Sequence, residues 1–254
     1  ENVSKEKHNN RVCLSCGKKY DVGNEYHFRY KLDKLKYSDV SDKYLNKMIE
    51  YISGTSRDDI EKETHIERYK NLAILRFDAN IAGLFMASNI SITDAFERSV
   101  RIDEALKKAY HRFLDILRDI SQDYFDRIVL GTIYMGGDDG FILAPSNISI
   151  PLALFMMNEF YLEMGGKLTL SCGIAVAKPL HPLVPLYDAA GFILDSVVKD
   201  NTRGIAYQEC ASKIVSEPSS NFRGALGFYT ADGGFMSSEN LKTVLAELYR
   251  EGIS

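Results

Sequence analysis

Ile133-Tyr134-Met135-Gly136-Gly137-Asp138-Asp139-Gly140-Phe141-Ile142 places two adjacent carboxylates on a glycine-rich turn between two apolar runs. Glycines 136 and 137 carry no Cβ, so the backbone there can turn tightly and come close to a ligand. Two neighbouring carboxylates repel, and a cation that neutralises the pair relieves the repulsion. A divalent ion resolves that conflict, and such ions activate attacking oxygens and stabilise leaving pyrophosphate in phosphoryl transfer. The alternative is an ordinary polar turn, since Gly and Asp are common turn residues.

A second acid on another apolar run weighs against the plain turn. Leu72-Ala73-Ile74-Leu75-Arg76-Phe77-Asp78 reads as a buried strand ending in a carboxylate, followed by Ala79-Asn80-Ile81-Ala82-Gly83. Two strand ends, each bearing an acid, can meet side by side to clasp two metal ions roughly 4 Å apart.

These two stretches, together with Leu168-Thr169-Leu170-Ser171-Cys172-Gly173-Ile174-Ala175-Val176-Ala177, resemble in order and spacing the second palm domain of the large subunit of type III CRISPR effector complexes. That domain falls in the GGDEF and class III cyclase superfamily, and the resemblance spans about residues 70 to 205. It implies conversion of ATP into cyclic oligoadenylates with Mg²⁺ or Mn²⁺. On that basis Asp78, Asp138 and Asp139 are the catalytic acids, and the same residues with the Ala79 carbonyl are the metal ligands. Gly136, Gly137 and Asn80 would face the nucleotide. Lys199, with Arg203 four residues later, resembles the Lys-x-x-x-Arg pair that holds triphosphate oxygens in GGDEF relatives.

There is one departure. The family usually has Asp-x-Asp-Asn-Leu-Gly after the first strand, and this chain has Asp78-Ala79-Asn80-Ile81-Ala82-Gly83. An amide supplies hydrogen bonds but not the missing negative charge. The rival reading is therefore a palm that binds nucleotide or partner subunits as a scaffold, without turnover. A GGDEF-type diguanylate cyclase fits less well, because the chain reads Asp-Asp-Gly at the turn and lacks an Arg-x-x-Asp pair just upstream.

The composition suits a globular enzyme. With 254 residues, 45% hydrophobic and 26% charged, the chain can bury a substantial core. A net charge of −4 is unlike a module that grips a phosphate backbone by itself. Contact with guide or target RNA is thus expected through other effector subunits, and a template-dependent polymerase is disfavoured. The resemblance implies that a homodimer or a second palm completes the site. No apolar run is long enough to span a bilayer and no signal peptide opens the sequence, so the expected location is the cytoplasm, with no membrane contact. The start at Glu1 reads as a processed or excised part of a larger polypeptide.

Cys13 and Cys16 form a Cys-x-x-Cys knuckle, half of a zinc ribbon, with His8 and His27 as the nearby histidines. The alternative is two reduced thiols in a turn. The expected organisation is an N-terminal knuckle and linker over 1–70, a palm over 71–215 and a strand-turn-helix extension over 216–254.

Within the palm, strands are expected at 72–78, 127–134, 140–144, 168–177 and 205–215. Helices are expected near 44–52, at 93–119, from Pro151 to Met164, and from the proline-punctuated loop after Lys178 to about Lys199. The order strand, helix, strand, strand, helix, strand is that of an α+β ferredoxin-like palm, an antiparallel sheet with helices on one face. Ile102, Leu106, Ala109, Phe113 and Leu117 are assigned to its core. His181 in its loop and Asp232-Gly233-Gly234 in the tail are assigned no chemistry.

Overall fold

The computed structural model describes residues 42–54, 71–87, 91–179, 181–206 and 222–231, and a few helical residues between 239 and 247. Cys13, Cys16, His8, His27 and Cys210 lie outside the described residues, as does the turn at 232–234. The chain forms two compact units, residues 1–49 and 50–254, and the second carries the sheet. A first helix, α1, runs Asp42–Ser53.

The sheet-bearing unit begins with β1 (Leu72–Asn80), a short α2 (Ala82–Ala87) and the long α3 (Ile92–Ile120). Ser91 caps α3 by accepting a hydrogen bond from the Asp94 amide at 3.1 Å, the role its position before Ile-Thr-Asp suggests. Ile102, Leu106, Ala109, Phe113 and Leu117 all fall on its buried side. Ser121 ends α3, its N–H donating to the Leu117 carbonyl, and its hydroxyl opens α4 (Gln122–Gly131).

Residues 127–131 therefore end a helix rather than begin a strand. Their apolar run is too short for periodicity to separate the two states. The i,i+4 pair of Asp123 and Arg127, at 2.8 Å, supports the helical outcome. The acidic hairpin follows as β2 (Thr132–Gly136) and β3 (Asp139–Pro145). Next, α5 (Ser146–Glu163) starts five residues before Pro151, because the polar Ser-Asn-Ile-Ser segment joins the helix, and Pro151 sits within it. It is followed by β4 (Thr169–Ala177) and α6 (Leu183–Phe192). α6 does not stop near Lys199: it widens into a π-helical stretch, Ile193–Lys199, and stays helical to Ala206. Ile205 and Ala206 are thus helical where a strand was expected, and the last described strand is β5 (Leu226–Ala231).

The strand order is β2-β3-β1-β4-β5. β1 to β4 form the expected palm, with β1 antiparallel to both β3 and β4. Ala73, Leu75, Phe77 and Ala79 of β1 share a buried cluster with Ile142 of β3, Leu170, Cys172 and Ile174 of β4, and the inward sides of α3 and α5. Met156 and Phe160 of α5 are fully buried there. The sheet as a whole is mixed, because β5 runs parallel to β4. α6 crosses back over the sheet between them, which is the connection that parallel neighbours require.

α6 covers the face opposite α3 and α5. Gly173 of β4 makes its close approach possible: a Cβ there would lie 2.2 Å from the Ala190 carbonyl oxygen and 2.8 Å from the Leu194 nitrogen. Among the described residues, no helix is long and apolar enough to cross a membrane.

Candidate functional site

Strand alternation divides the end of β1 between the two faces. Phe77 and Ala79 enter the core under α3 and α5, while Asp78 and Asn80 face the α6 side. The antiparallel register sets Asp78 directly opposite Asp139 of β3 on one flank and Ser171 of β4 on the other. Asp138 occupies the hairpin turn, where its carbonyl accepts the Ala79 N–H at 3.0 Å. The two strand ends thus meet as their sequences suggest.

From the opposite side α6 delivers two cations. Lys199 is the last residue of the π-helical stretch, and its ammonium contacts the Asp78 carboxylate. Arg203 lies one turn further on, 68% exposed and 3.4 Å from Asp200. Between the acids and the cations is a cleft of about 260 Å³, lined by Asp78, Asn80, Gly83, Asp138, Lys199 and Arg203, among others. That is below the ~300–1,000 Å³ usual for a complete small-molecule site. It matches the phosphate end of a nucleotide better than the whole of one.

Burial pushes the Asp78 carboxyl up to about 6; Lys199 pulls it down, and Asp139 pushes it up again. The site therefore already carries the like-charge conflict that a cation relieves, and the Lys199 ammonium stands where a positive charge is wanted. Among the described residues, no group of three or more His, Cys, Asp or Glu side chains forms a metal cage by itself. The Asp78 and Asp139 carboxyls are near enough to perturb each other, and Mg²⁺ is commonly held by one or two carboxylates with substrate phosphates and water completing its shell. The residues present fit such an ion.

Asn80 has a different environment. It is 4% exposed, and its amide nitrogen donates to Thr169 Oγ1 and Ser171 Oγ, each at 2.8 Å. Its carbonyl accepts the Ser171 hydroxyl at 3.0 Å. The side chain is engaged in tying β1 to β4 beneath the cleft. Asn80→Ala leaves two buried hydroxyls without these partners and is expected to cost about 1–3 kcal/mol of stability, read from urea denaturation. An unchanged midpoint would show that the network contributes nothing.

Gly136 and Gly137 are not among the cleft's lining residues. Gly137 has a φ of 61°, which glycine adopts without strain, and begins the two-residue turn. Its amide points to Asp103 of α3, which sequence reading left out of the site. Ile81 was also missed: a β-branched residue at φ 55°, it lines the cleft where the chain leaves β1. The family pattern usually has Asn there, a residue that tolerates this conformation better.

The sequence profile described as Cas10/Cmr2, second palm domain, matches residues 71–205, more than half of the chain. The chain belongs to this family. The matched region of the Cas10/Cmr2 palm includes Asp78, the acidic hairpin, Lys199 and Arg203. Among solved structures, the chain is similar to Csm1 in T. onnurineus, with 25% identity and a TM-score of 0.45. It is similar also to a Csm1-Csm4 cassette in complex with cA3, with 25% identity and a TM-score of 0.44. A third is the Csm1-Csm4 cassette in complex with one ATP, with 25% identity and a TM-score of 0.43. Each likeness covers 53% of this chain and 20% of the other, so the chain spans about a fifth of the length of these relatives. No curated protein matches the chain.

Proposed function

We propose that this Cas10/Cmr2 palm binds ATP with Mg²⁺ or Mn²⁺ and joins adenylate units into cyclic oligoadenylates, signals in CRISPR antiviral defence. The observation that carries this reading is the cleft with two opposed banks, carboxylates from β1 and the hairpin on one side and Lys199 and Arg203 on the other. Asp78, Asp138, Asp139 and the Ala79 carbonyl would hold the ions. When bound, the ions would supply Lewis-acid activation of a ribose hydroxyl and neutralise the departing pyrophosphate.

The chain's own residues do the rest. Lys199 exchanges its contact with Asp78 for phosphate oxygens once the acid is neutralised, and Arg203 extends that cationic bank toward solvent. Asn80, Thr169 and Ser171 keep the end of β1 rigid, so the Asp78 carboxylate is held in place before substrate arrives. The ribose oxygen then bonds to the α-phosphorus of a second ATP, the bond to pyrophosphate breaks, and the hydroxyl proton passes to water.

Assembly with other effector subunits, guide and target RNA, and a second palm facing this one is part of the same proposal, as is a cytoplasmic location. A zinc ion on Cys13 and Cys16 remains a separate proposal, tested by zinc content before and after their replacement with Ser. The scaffold reading is favoured by one observation, an engaged Asn80 where the family usually has an acid.

Calorimetric titration with ATP and then GTP, in Mn²⁺ and in EDTA, tests the main reading. The expected result is Mn²⁺-dependent ATP binding that is lost when Asp138 and Asp139 are both replaced by Ala, with the far-ultraviolet circular dichroism unchanged. Binding that survives EDTA or the double replacement would overturn it. Metal-dependent ATP turnover, followed by chromatography of the products, separates the enzyme from the scaffold.

A further inference from the structure

The two-residue turn, Gly137 and Asp138, leads into Asp139 at the start of β3, and Gly137 has open space where a side chain would be. Beyond the ladder pair of Gly136 with Asp139, polar contacts hold the turn. On the sheet side the Ala79 amide holds the Asp138 carbonyl at 3.0 Å. Within the hairpin the Tyr134 hydroxyl donates to the Gly136 carbonyl at 2.9 Å. A further contact comes from α3: Asp103 Oδ1 accepts the Gly137 N–H at 2.8 Å. The same oxygen would lie 3.4 Å from a Cβ at residue 136, so the carboxylate rests against both glycines.

The Asp103 carboxylate carries a charge that a neighbouring cation can offset. Lys107, one helical turn on, offsets it by donating to Asp103 Oδ2 at 2.7 Å. Both Asp103 oxygens are thus engaged by donors, which leaves this acid as an anchor and not as an additional metal ligand. Burial pushes its carboxyl up, but the hydrogen bonds from Lys107 and Gly137 outweigh that and hold it below the usual range. It therefore remains a charged acceptor at neutral pH. The neighbouring Ile102 and Leu106 are 4% and 0% exposed, so the backbone that carries Asp103 is fixed in the core.

We propose that Asp103 is the positioning residue of the acidic hairpin: by fixing the Gly137 amide it sets how Asp138 and Asp139 meet Asp78. The proposal rests on the reading that those acids bind the ions of a nucleotide complex. It distinguishes Asp103 from an ordinary surface i,i+4 pair with Lys107, which would not be felt in the hairpin.

The test compares wild type, Asp103→Ala, Asp103→Asn and Lys107→Ala as the complete 254-residue chain. Two readouts are used, hydrogen exchange of the Gly137 amide by nuclear magnetic resonance and calorimetric affinity for Mn²⁺–ATP. In Asp103→Ala the Gly137 amide is expected to lose protection, and Mn²⁺–ATP affinity to fall about tenfold, as for other residues that orient metal ligands. Asp103→Asn keeps an oxygen acceptor and is expected to restore protection and to recover most of the affinity lost in Asp103→Ala. Lys107→Ala is expected to leave the Gly137 contact in place.

An unchanged Gly137 amide in Asp103→Ala overturns the anchor itself. A deprotected amide with unchanged affinity overturns its role in positioning the acids. A wild-type chain that binds no Mn²⁺–ATP defeats the nucleotide reading, and with it the positioning role; the wild-type titration separates that failure from the other two. Gross misfolding of the Ala variant appears as changes in amides far from the turn, in which case the wild-type and Asn comparison decides: a tenfold weaker Asn variant whose Gly137 amide remains protected overturns the proposal.

Discussion

Asp78→Asn is expected to abolish Mn²⁺-dependent ATP binding and yet, in metal-free buffer near pH 8, to stabilise the chain by roughly 1–3 kcal/mol. The Asp78 side chain is 25% exposed, and burial with the nearby Asp139 lifts its carboxyl from an ordinary 3.8 to about 6 despite Lys199. The folded chain thus holds this proton more firmly than the unfolded chain. Below 3.8 both states are protonated and the group has no cost; the cost grows as pH rises through the window to about 6, and is complete above it. Asparagine keeps the shape without ionising, so the variant loses that pH dependence along with the ligand. Urea denaturation in EDTA at about pH 5 and about pH 8 measures the effect. A wild-type chain that is no less stable at the higher pH, or a variant that gains nothing there, would contradict the assigned environment of Asp78. The trade is the usual one at a functional site, where a charge that the apo fold tolerates poorly is kept for its ligand.

Gly173→Val is the second large effect. The added Cβ would meet two backbone atoms of α6, the Ala190 oxygen at 2.2 Å and the Leu194 nitrogen at 2.8 Å. Neither can turn aside as a side-chain tip does, so the helix must lift from the sheet. Overpacking of this kind costs about 3 kcal/mol or more, a fall of roughly 10 °C in Tm for a unit of this size. Lifting α6 also withdraws Lys199 from Asp78, so ATP affinity should fall with stability although Gly173 lines no part of the cleft. Thermal denaturation and the Mn²⁺–ATP titration give the two readouts. An unaltered Tm would mean that α6 is not seated on β4 as described.

The meeting of the β1 and hairpin acids was legible because each sits at the end of an apolar run, and strand ends are where a sheet exposes side chains. The long α3 was legible from its apolar spacing. The segment 127–131 was not, since five mostly apolar residues satisfy a strand or a helix end equally well, and only the joint at Ser121 and the packing decide. Asp103 gave no local signal beyond an i,i+4 pair with Lys107. Its partner amide is 34 residues away in sequence.

The sequence by itself determined the alternation of the palm, the core stripe of α3 and the three aspartates. These depend on side-chain type and on short-range periodicity, which a linear reading contains. The tertiary structure alone decided that Asn80 is bonded to Thr169 and Ser171 and that α6 runs through a π-helical stretch to bring Lys199 to Asp78. It also decided that β5 pairs parallel to β4 and that Asp103 holds the hairpin turn. Each of these joins groups far apart in the chain. The folding of the sheet brings them within hydrogen-bonding range, and no local preference encodes that proximity.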